Sequence, residues 1–254
     1  VQNLALRHGQ IAGQAYRMHA SLAIAALVLF VAAAVQTLTG AGFGLTAAPP
    51  LLLAAPALVP DTLLWLTVVV TGCSVWADRS ALDWGFARRC ALAAVPGTAA
   101  GYAATAVLPN SALAVGIAVT VVAAGCAGLA GLRVPVTATS TGVAGFTAGA
   151  LNWVAAMPGP PVTLIYRARD AATVRGTLSL IFLAVSAVTL AVRYGSGQAD
   201  AFAALRSAGL AGAVVLGAIA ARPLCARMSS AVVSRAALAL STAAGLALLV
   251  RTLV

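Results

Sequence analysis

The stretch "GALNWVAAMPGPPVTLIYRARD", residues 149–170, places Pro158, Gly159, Pro160 and Pro161 in the middle of a long apolar run. Proline removes a backbone donor and its ring clashes with the preceding turn, so a helix entering this stretch is interrupted within it. In water the interruption is only a loop. In a membrane it frees backbone groups that lipid cannot satisfy, and such backbone survives only where protein buries it or where it lines a cavity.

Composition decides between the two settings. The chain has 254 residues, of which 62% are hydrophobic and 8% charged, against roughly 25% charged in soluble domains. Several apolar stretches reach the ~20 residues that cross ~30 Å of hydrocarbon as a helix. A closed β-barrel is excluded, because the runs lack alternating polar residues. The sequence therefore predicts an all-α polytopic membrane protein.

The 15 cations are all Arg and the 5 acids all Asp, for a net charge of +10. The arginines fall mainly between apolar runs, where snorkelling and leaflet phosphates account for them without a nucleic-acid partner. Cys73, Cys90, Cys126 and Cys225 stand singly with no C-x-x-C pair, and His8 and His19 precede the first span. No metal or cofactor is called for. The cysteines are expected to be small core residues.

The N-terminal run "RMHASLAIAALVLFVAAAVQ", residues 17–36, has the layout of a secretory leader. It continues directly into a Gly-rich motif that recurs later, so it reads as a first membrane segment. With Met18 as a candidate start, residues 1–17 are an N-terminal extension, 18–132 a first transmembrane repeat and 133–254 a second.

The repeat rests on layout. An apolar segment at 21–39 is broken by "GAGFGLTAAPP" (40–50), and spans follow at 61–77, 86–108 and 112–132. A second segment at 137–157 is broken by "MPGPP", and spans follow at 173–192, 204–221 and 231–253. About eight spans result, in two halves whose interrupted first segments align when Pro49 and Pro50 are placed on Pro160 and Pro161. Paired Gly/Pro-interrupted segments in two halves point to a transporter site at the repeat interface. Four crossings per half give parallel repeats. Counting each interrupted segment as a hairpin gives five crossings and inverted ones.

The chemistry of the breaks favours an anion. Broken helices expose N–H groups at one new end and carbonyls at the other, so the side chains select the sign of the ligand. Asp61 and Asp170 read as helix caps and Asp78, Asp83 and Asp200 as loop residues, leaving no carboxylate inside a span to hold a cation. Donors near the breaks are Gln36, Thr37, Thr39 and Thr46, then Asn152, Trp153 and Thr163. Gly40, Gly42, Gly44 and Gly159 permit close backbone approach. Arg175, inside the span that follows the second break, either pairs an oxyanion in a fork geometry or snorkels to headgroups.

"QTLTGAGFGLTAAPPLL" (36–52) resembles the glycine-rich first motif of the sulfite exporter TauE/SafE family, and "GFTAGALNWVAAMPGPPVTLIYRARDAATVRGTLSLIF" (145–182) resembles its second. The matching residues are Gly40, Gly42, Phe43, Gly44 and Pro49, then Gly145, Gly149, Gly159, Pro160, Pro161, Tyr166 and Arg175. The resemblance implies a multi-pass carrier in the bacterial inner membrane, exporting small sulfur-containing anions such as sulfite or sulfonates. Where the family often has a glycine-rich run before the second proline pair, this chain reads "NWVAAMPG", and Trp153 and Met157 are expected to narrow the cavity.

The competing readings are a passive anion channel built on the same helix ends, and a non-transporting membrane assembly factor. An intramembrane enzyme is disfavoured: Ser196 in "YGSGQ" has no membrane histidine to activate it. The partners expected are the small anion and the bilayer, with a homodimer left open.

Overall fold

A computed structural model describes residues 2–132, 134–166 and 170–226, with the separate residues 239, 242, 243, 246, 249 and 250 beyond them. The helices are α1 (Gln2–Thr39), α2 (Phe43–Ala54), α3 (Asp61–Ala77), α4 (Trp84–Val107), α5 (Asn110–Leu129), α6 (Ala138–Ala155), α7 (Gly159–Ile165), α8 (Ala171–Gly195) and α9 (Ala203–Ala221). Short 3-10 turns occupy Pro56–Leu58 and Arg222–Ala226. Among the described residues, five stretches are long and apolar enough to cross a membrane: Ser21–Thr39, Trp84–Val107, Ser111–Leu129, Ala171–Gly195 and Ala203–Cys225. The molecule is an all-helical, multi-pass membrane protein. The span expected at 231–253 lies largely outside the described residues.

Side-chain caps fix three of the helix starts. Asp83 accepts from the Phe86 N–H at 2.9 Å to begin α4, and Asp170 accepts from the N–H groups of Ala172 and Thr173 to begin α8. Thr137 and Ser140 exchange bonds in a capping box at the start of α6. Asp61 departs from expectation. It is the first residue of α3, behind Pro60, and its carboxylate serves other elements instead.

The interruptions also fall elsewhere than the prolines suggest. α1 ends at Thr39 and α2 begins at Phe43, so α2 carries Pro49 and Pro50 in its interior. α6 ends at Ala155 and α7 begins at Gly159, with Pro160 and Pro161 in its first turn. A first turn has no intrahelical use for its N–H groups, so proline starts α7 rather than breaking it. The gaps themselves are residues 40–42, where Gly40 and Gly42 have φ of +76° and +127°, and residues 156–158, where Ala156 adopts the left-handed conformation at φ 55°. For alanine that geometry costs roughly 1–2 kcal/mol, which the surrounding packing must offset.

Helix packing runs through small residues, as it must where lipid supplies no hydrophobic drive between helices. Gly97 and Gly101 of α4 face α6, while Gly145 and Gly149 of α6 face α4. A methyl group at Gly97 would stand 1.9 Å from the Phe146 carbonyl oxygen, and one at Gly149 would stand 2.1 Å from that of Ala94. α1 meets α9 in the same way, with Gly217 against the Phe30 carbonyl. α3 packs on α8 and α9, and α8 also packs on α4. Of the cysteines, Cys90 is buried and Cys225 half-buried, whereas Cys73 and Cys126 are exposed and so are not core residues.

α3 and α8 run antiparallel. Asp61 at the start of α3 pairs with Arg193 near the end of α8, and Asp78 at the end of α3 pairs with Arg175 near the start of α8. The two arginines are eighteen residues apart on one helix, or about 27 Å at 1.5 Å per residue. That length approaches the hydrocarbon thickness, so one ion pair stands near each end of a membrane crossing.

Candidate functional site

Gln36 organises the first gap. Its side chain is 1% exposed; Oε1 accepts from the Phe43 N–H at 3.1 Å, and Nε2 donates to the Gly40 carbonyl at 2.8 Å and to Ser179 Oγ on α8 at 3.3 Å. One amide thereby satisfies a donor at the start of α2 and an acceptor at the end of α1. Thr39 turns inward on the same gap: its hydroxyl donates to the Val35 carbonyl at 2.8 Å, accepts from the Ala41 N–H at 3.1 Å, and touches the Ala41 carbonyl. Gly40 packs backbone to backbone on Arg175, where a methyl group would stand 2.3 Å from the Arg175 α-carbon.

The two gaps meet each other. Gly44, in the first turn of α2, lies against the Ala156 carbonyl and Met157 of the second gap, with 2.4 Å and 3.1 Å left for a methyl group. A methyl group at Gly159 would be 3.8 Å from Leu45 Cδ1 and from Phe182 Cζ, so the starts of α2 and α7 are neighbours. Gly159 therefore approaches no backbone closely, unlike Gly40 and Gly44. Neither short helix has a side-chain cap from its N-cap residue, Gly42 or Pro158. One turn into α2, Thr46 is 3% exposed and its hydroxyl oxygen has no hydrogen-bond partner. A buried hydroxyl in that state costs about 1–3 kcal/mol, which a bound polar ligand would recover.

The second half contributes less than its motif suggests. Asn152 is fully buried and donates to Thr189 Oγ1 at 2.9 Å, with Ser186 Oγ at 3.5 Å; its Oδ1 has no partner. Trp153 is held on α4, with Nε1 donating to Thr105 Oγ1 at 3.1 Å and its ring edge-on to Tyr102. The Arg193 guanidinium lies 4.7 Å over the same indole. Tyr166 donates to Thr177 Oγ1 at 3.2 Å and packs on Phe86 with ring centroids 4.4 Å apart. Pro49 is buried within α2.

Arg175 takes a partner that neither sequence reading named. Nε meets Asp78 Oδ2 at 3.3 Å and Nη2 meets Oδ1 at 3.4 Å, an edge-on pairing of guanidinium with carboxylate. The structure thus brings together Gln36, Thr39, Gly40, Gly42, Phe43 and Gly44 with Ala156 and Met157. It leaves Trp153 and Tyr166 committed to other partners. Ser179, Ser186 and Thr189 are polar neighbours that the sequence reading passed over, although Ser179 and Ser186 recur seven residues apart in an apolar run, a helical-face signal.

The family described as sulfite exporter TauE/SafE matches residues 25–248, nearly the whole chain. The chain belongs to the TauE/SafE family. No curated protein and no solved structure matches it. As a TauE/SafE member it is a membrane transporter and not an enzyme.

Proposed function

We propose that this TauE/SafE protein is a secondary transporter that exports small sulfur-containing anions, such as sulfite or sulfonates, across the bacterial inner membrane. The anion binds where the two interruptions meet, among Gln36, Thr39, Gly40, Gly42, Phe43 and Gly44 from one half and Asn152 and Gly159 from the other. The observation that carries this reading is the contact of Gly44 with Ala156 and Met157, which sets the starts of α2 and α7 beside each other. Helix starts present partial positive charge, and the partnerless Thr46 hydroxyl adds a donor beside them. All five acids lie at or beyond helix ends.

Duplication supports the same reading. With α1 matched to α6, α2 to α7, α3 to α8 and α4 to α9, the α1–α9 contact becomes the α4–α6 contact, and α3–α9 becomes α4–α8. α3 and α8 are then equivalent helices that run antiparallel, which is the relation between inverted halves rather than parallel ones. α2 packs on α1 and α7 on α6, in keeping with a hairpin in each half. Inverted halves exchange roles across the membrane, the geometry that alternating access uses.

Proteoliposome counterflow tests the proposal. Sulfite, thiosulfate and sulfoacetate are expected to drive uptake of labelled sulfite, with chloride a poor competitor. Flux without counterflow would indicate a channel, and chloride binding as tightly as every sulfur anion would remove the substrate class.

A further inference from the structure

The two ion pairs that join α3 to α8 are built differently. Asp61 Oδ1 and Arg193 Nε pair with each other, and further atoms of both side chains have partners of their own. Asp61 Oδ2 accepts from the Asp200 N–H at 2.7 Å, while Arg193 reaches the carbonyls of Trp153 and Gln198 and lies over the Trp153 indole. Asp200 in turn pairs with Arg206 at 2.7 Å, and Arg206 donates to the Ala57 carbonyl at 2.7 Å. The helix dipoles agree with this arrangement, since Asp61 begins α3 and Arg193 lies in the last turn of α8.

Among the described residues, the Asp78 and Arg175 side chains hydrogen-bond only to each other, with Asp170 a further charge near Arg175. Their contacts of 3.3 and 3.4 Å exceed the roughly 2.7–2.9 Å of a well-made charge-assisted bond. Asp78 caps the C-terminus of α3 and Arg175 lies in the second turn of α8, so each charge faces the unfavourable end of its own helix. The Arg175 and Asp78 side chains are 16% and 14% exposed. The backbone of Arg175 is also the surface on which Gly40 of the first gap rests.

We infer that Asp78 is a built-in stand-in for the transported anion: an incoming oxyanion displaces its carboxylate from the Arg175 guanidinium at the mouth of the site, and Asp78 reclaims Arg175 when the anion moves on. The inference rests on the anion-transport reading above. A carboxylate and a sulfite or sulfonate group both offer two oxygens to the Nε–Nη2 edge, so the exchange keeps Arg175 paired throughout. The ligand class is a small anion with two oxygens on one centre, which chloride cannot imitate. The Asp61–Arg193 pair, fixed by its further partners, stays closed during this exchange.

Calorimetric titration of sulfite, thiosulfate and chloride into the full chain in lipid nanodiscs tests the exchange. Asp78→Asn removes the competitor, and sulfite affinity is expected to rise about tenfold while counterflow slows, since one charge-assisted bond is no longer broken on binding. The gain should vanish in Asp78→Asn/Arg175→Gln, which leaves no single buried charge and so keeps the fold. Unchanged or weaker sulfite binding by folded Asp78→Asn overturns the exchange. A second measurement does not depend on that variant: the Arg175 Nε–H resonance of the wild-type chain should shift on saturation with sulfite, and a resonance that stays in place overturns the exchange as well. Wild-type protein that prefers chloride to both sulfur anions overturns the substrate reading instead. A wild-type preference for sulfite with no effect of Asp78→Asn removes the exchange alone.

Discussion

The α-carbon of Gly44 rests against the carbonyl oxygen of Ala156, with 2.4 Å left for any added methyl group. That contact joins the start of α2 to the gap between α6 and α7, and through it the two halves of the chain. Gly44→Ala must push the gaps apart, at a cost of about 1–3 kcal/mol for overpacking. Counterflow should fall steeply while membrane insertion persists. Gly72→Ala is the control, because a methyl group there meets nothing within 4 Å. Equal activity in the two variants would show that the gaps need not touch.

Gln36 is the side chain on which the first gap depends most. Gln36→Leu leaves the Phe43 N–H and the Gly40 carbonyl buried without their present partner, at ~1–3 kcal/mol for each group. Gln36→Glu keeps an acceptor for Phe43 but gives up the donor to Gly40. Thermal midpoints in detergent should therefore rank wild type above Gln36→Glu and Gln36→Leu. A Gln36→Leu chain as stable as wild type would mean that the gap finds other partners.

Much of this architecture can be read from residue order. The expected spans at 61–77, 86–108 and 204–221 lie within two residues of α3, α4 and α9, because long apolar runs bounded by Asp, Pro and Asn leave little choice. The prolines alone do not mark where α1 and α6 end. Proline marks a helix start as readily as a stop, and only the backbone shows Ala156 taking the left-handed turn that glycine usually takes. Trp153 reads as a cavity wall in the sequence, yet its indole is held by Thr105, Tyr102 and Arg193, partners that lie far away along the chain. Arg175 shows the same limit. Its partner Asp78 belongs to the other half, and only the antiparallel packing of α3 on α8 brings them together.

Two carboxylates outside the membrane predict the pH response. Asp170 is held below its usual 3.8, first by the Thr173 hydroxyl and then by the N–H groups of Thr173 and Ala172. Asp200 is held below the same value, chiefly by the Phe202 N–H and then by Arg206. A carboxylate with a depressed folded-state pKa stabilises the fold above its unfolded value, and the contribution is lost as pH falls through the folded value. Thermal midpoints should hold level from neutrality down to about pH 5 and decline below about pH 4. Asp200→Asn should flatten part of that decline, and a profile unchanged by the substitution would assign it to other groups.

The Asp61–Arg193 pair sets the last test, because burial makes its two single variants differ from the double one. The side chains are 12% and 9% exposed for Arg193 and Asp61, so removing either partner strands a charge with little access to water. Such a loss costs about 3–5 kcal/mol, whereas replacing both partners by neutral groups of similar shape is often nearly neutral. Asp61→Asn retains an oxygen for the Asp200 N–H, and Arg193→Gln retains a donor within the same cluster, so hydrogen bonding changes less than charge does. Thermal unfolding should show Asp61→Asn and Arg193→Gln each strongly destabilised and Asp61→Asn/Arg193→Gln clearly less so than their sum. Additive losses would mean that the two charges act independently.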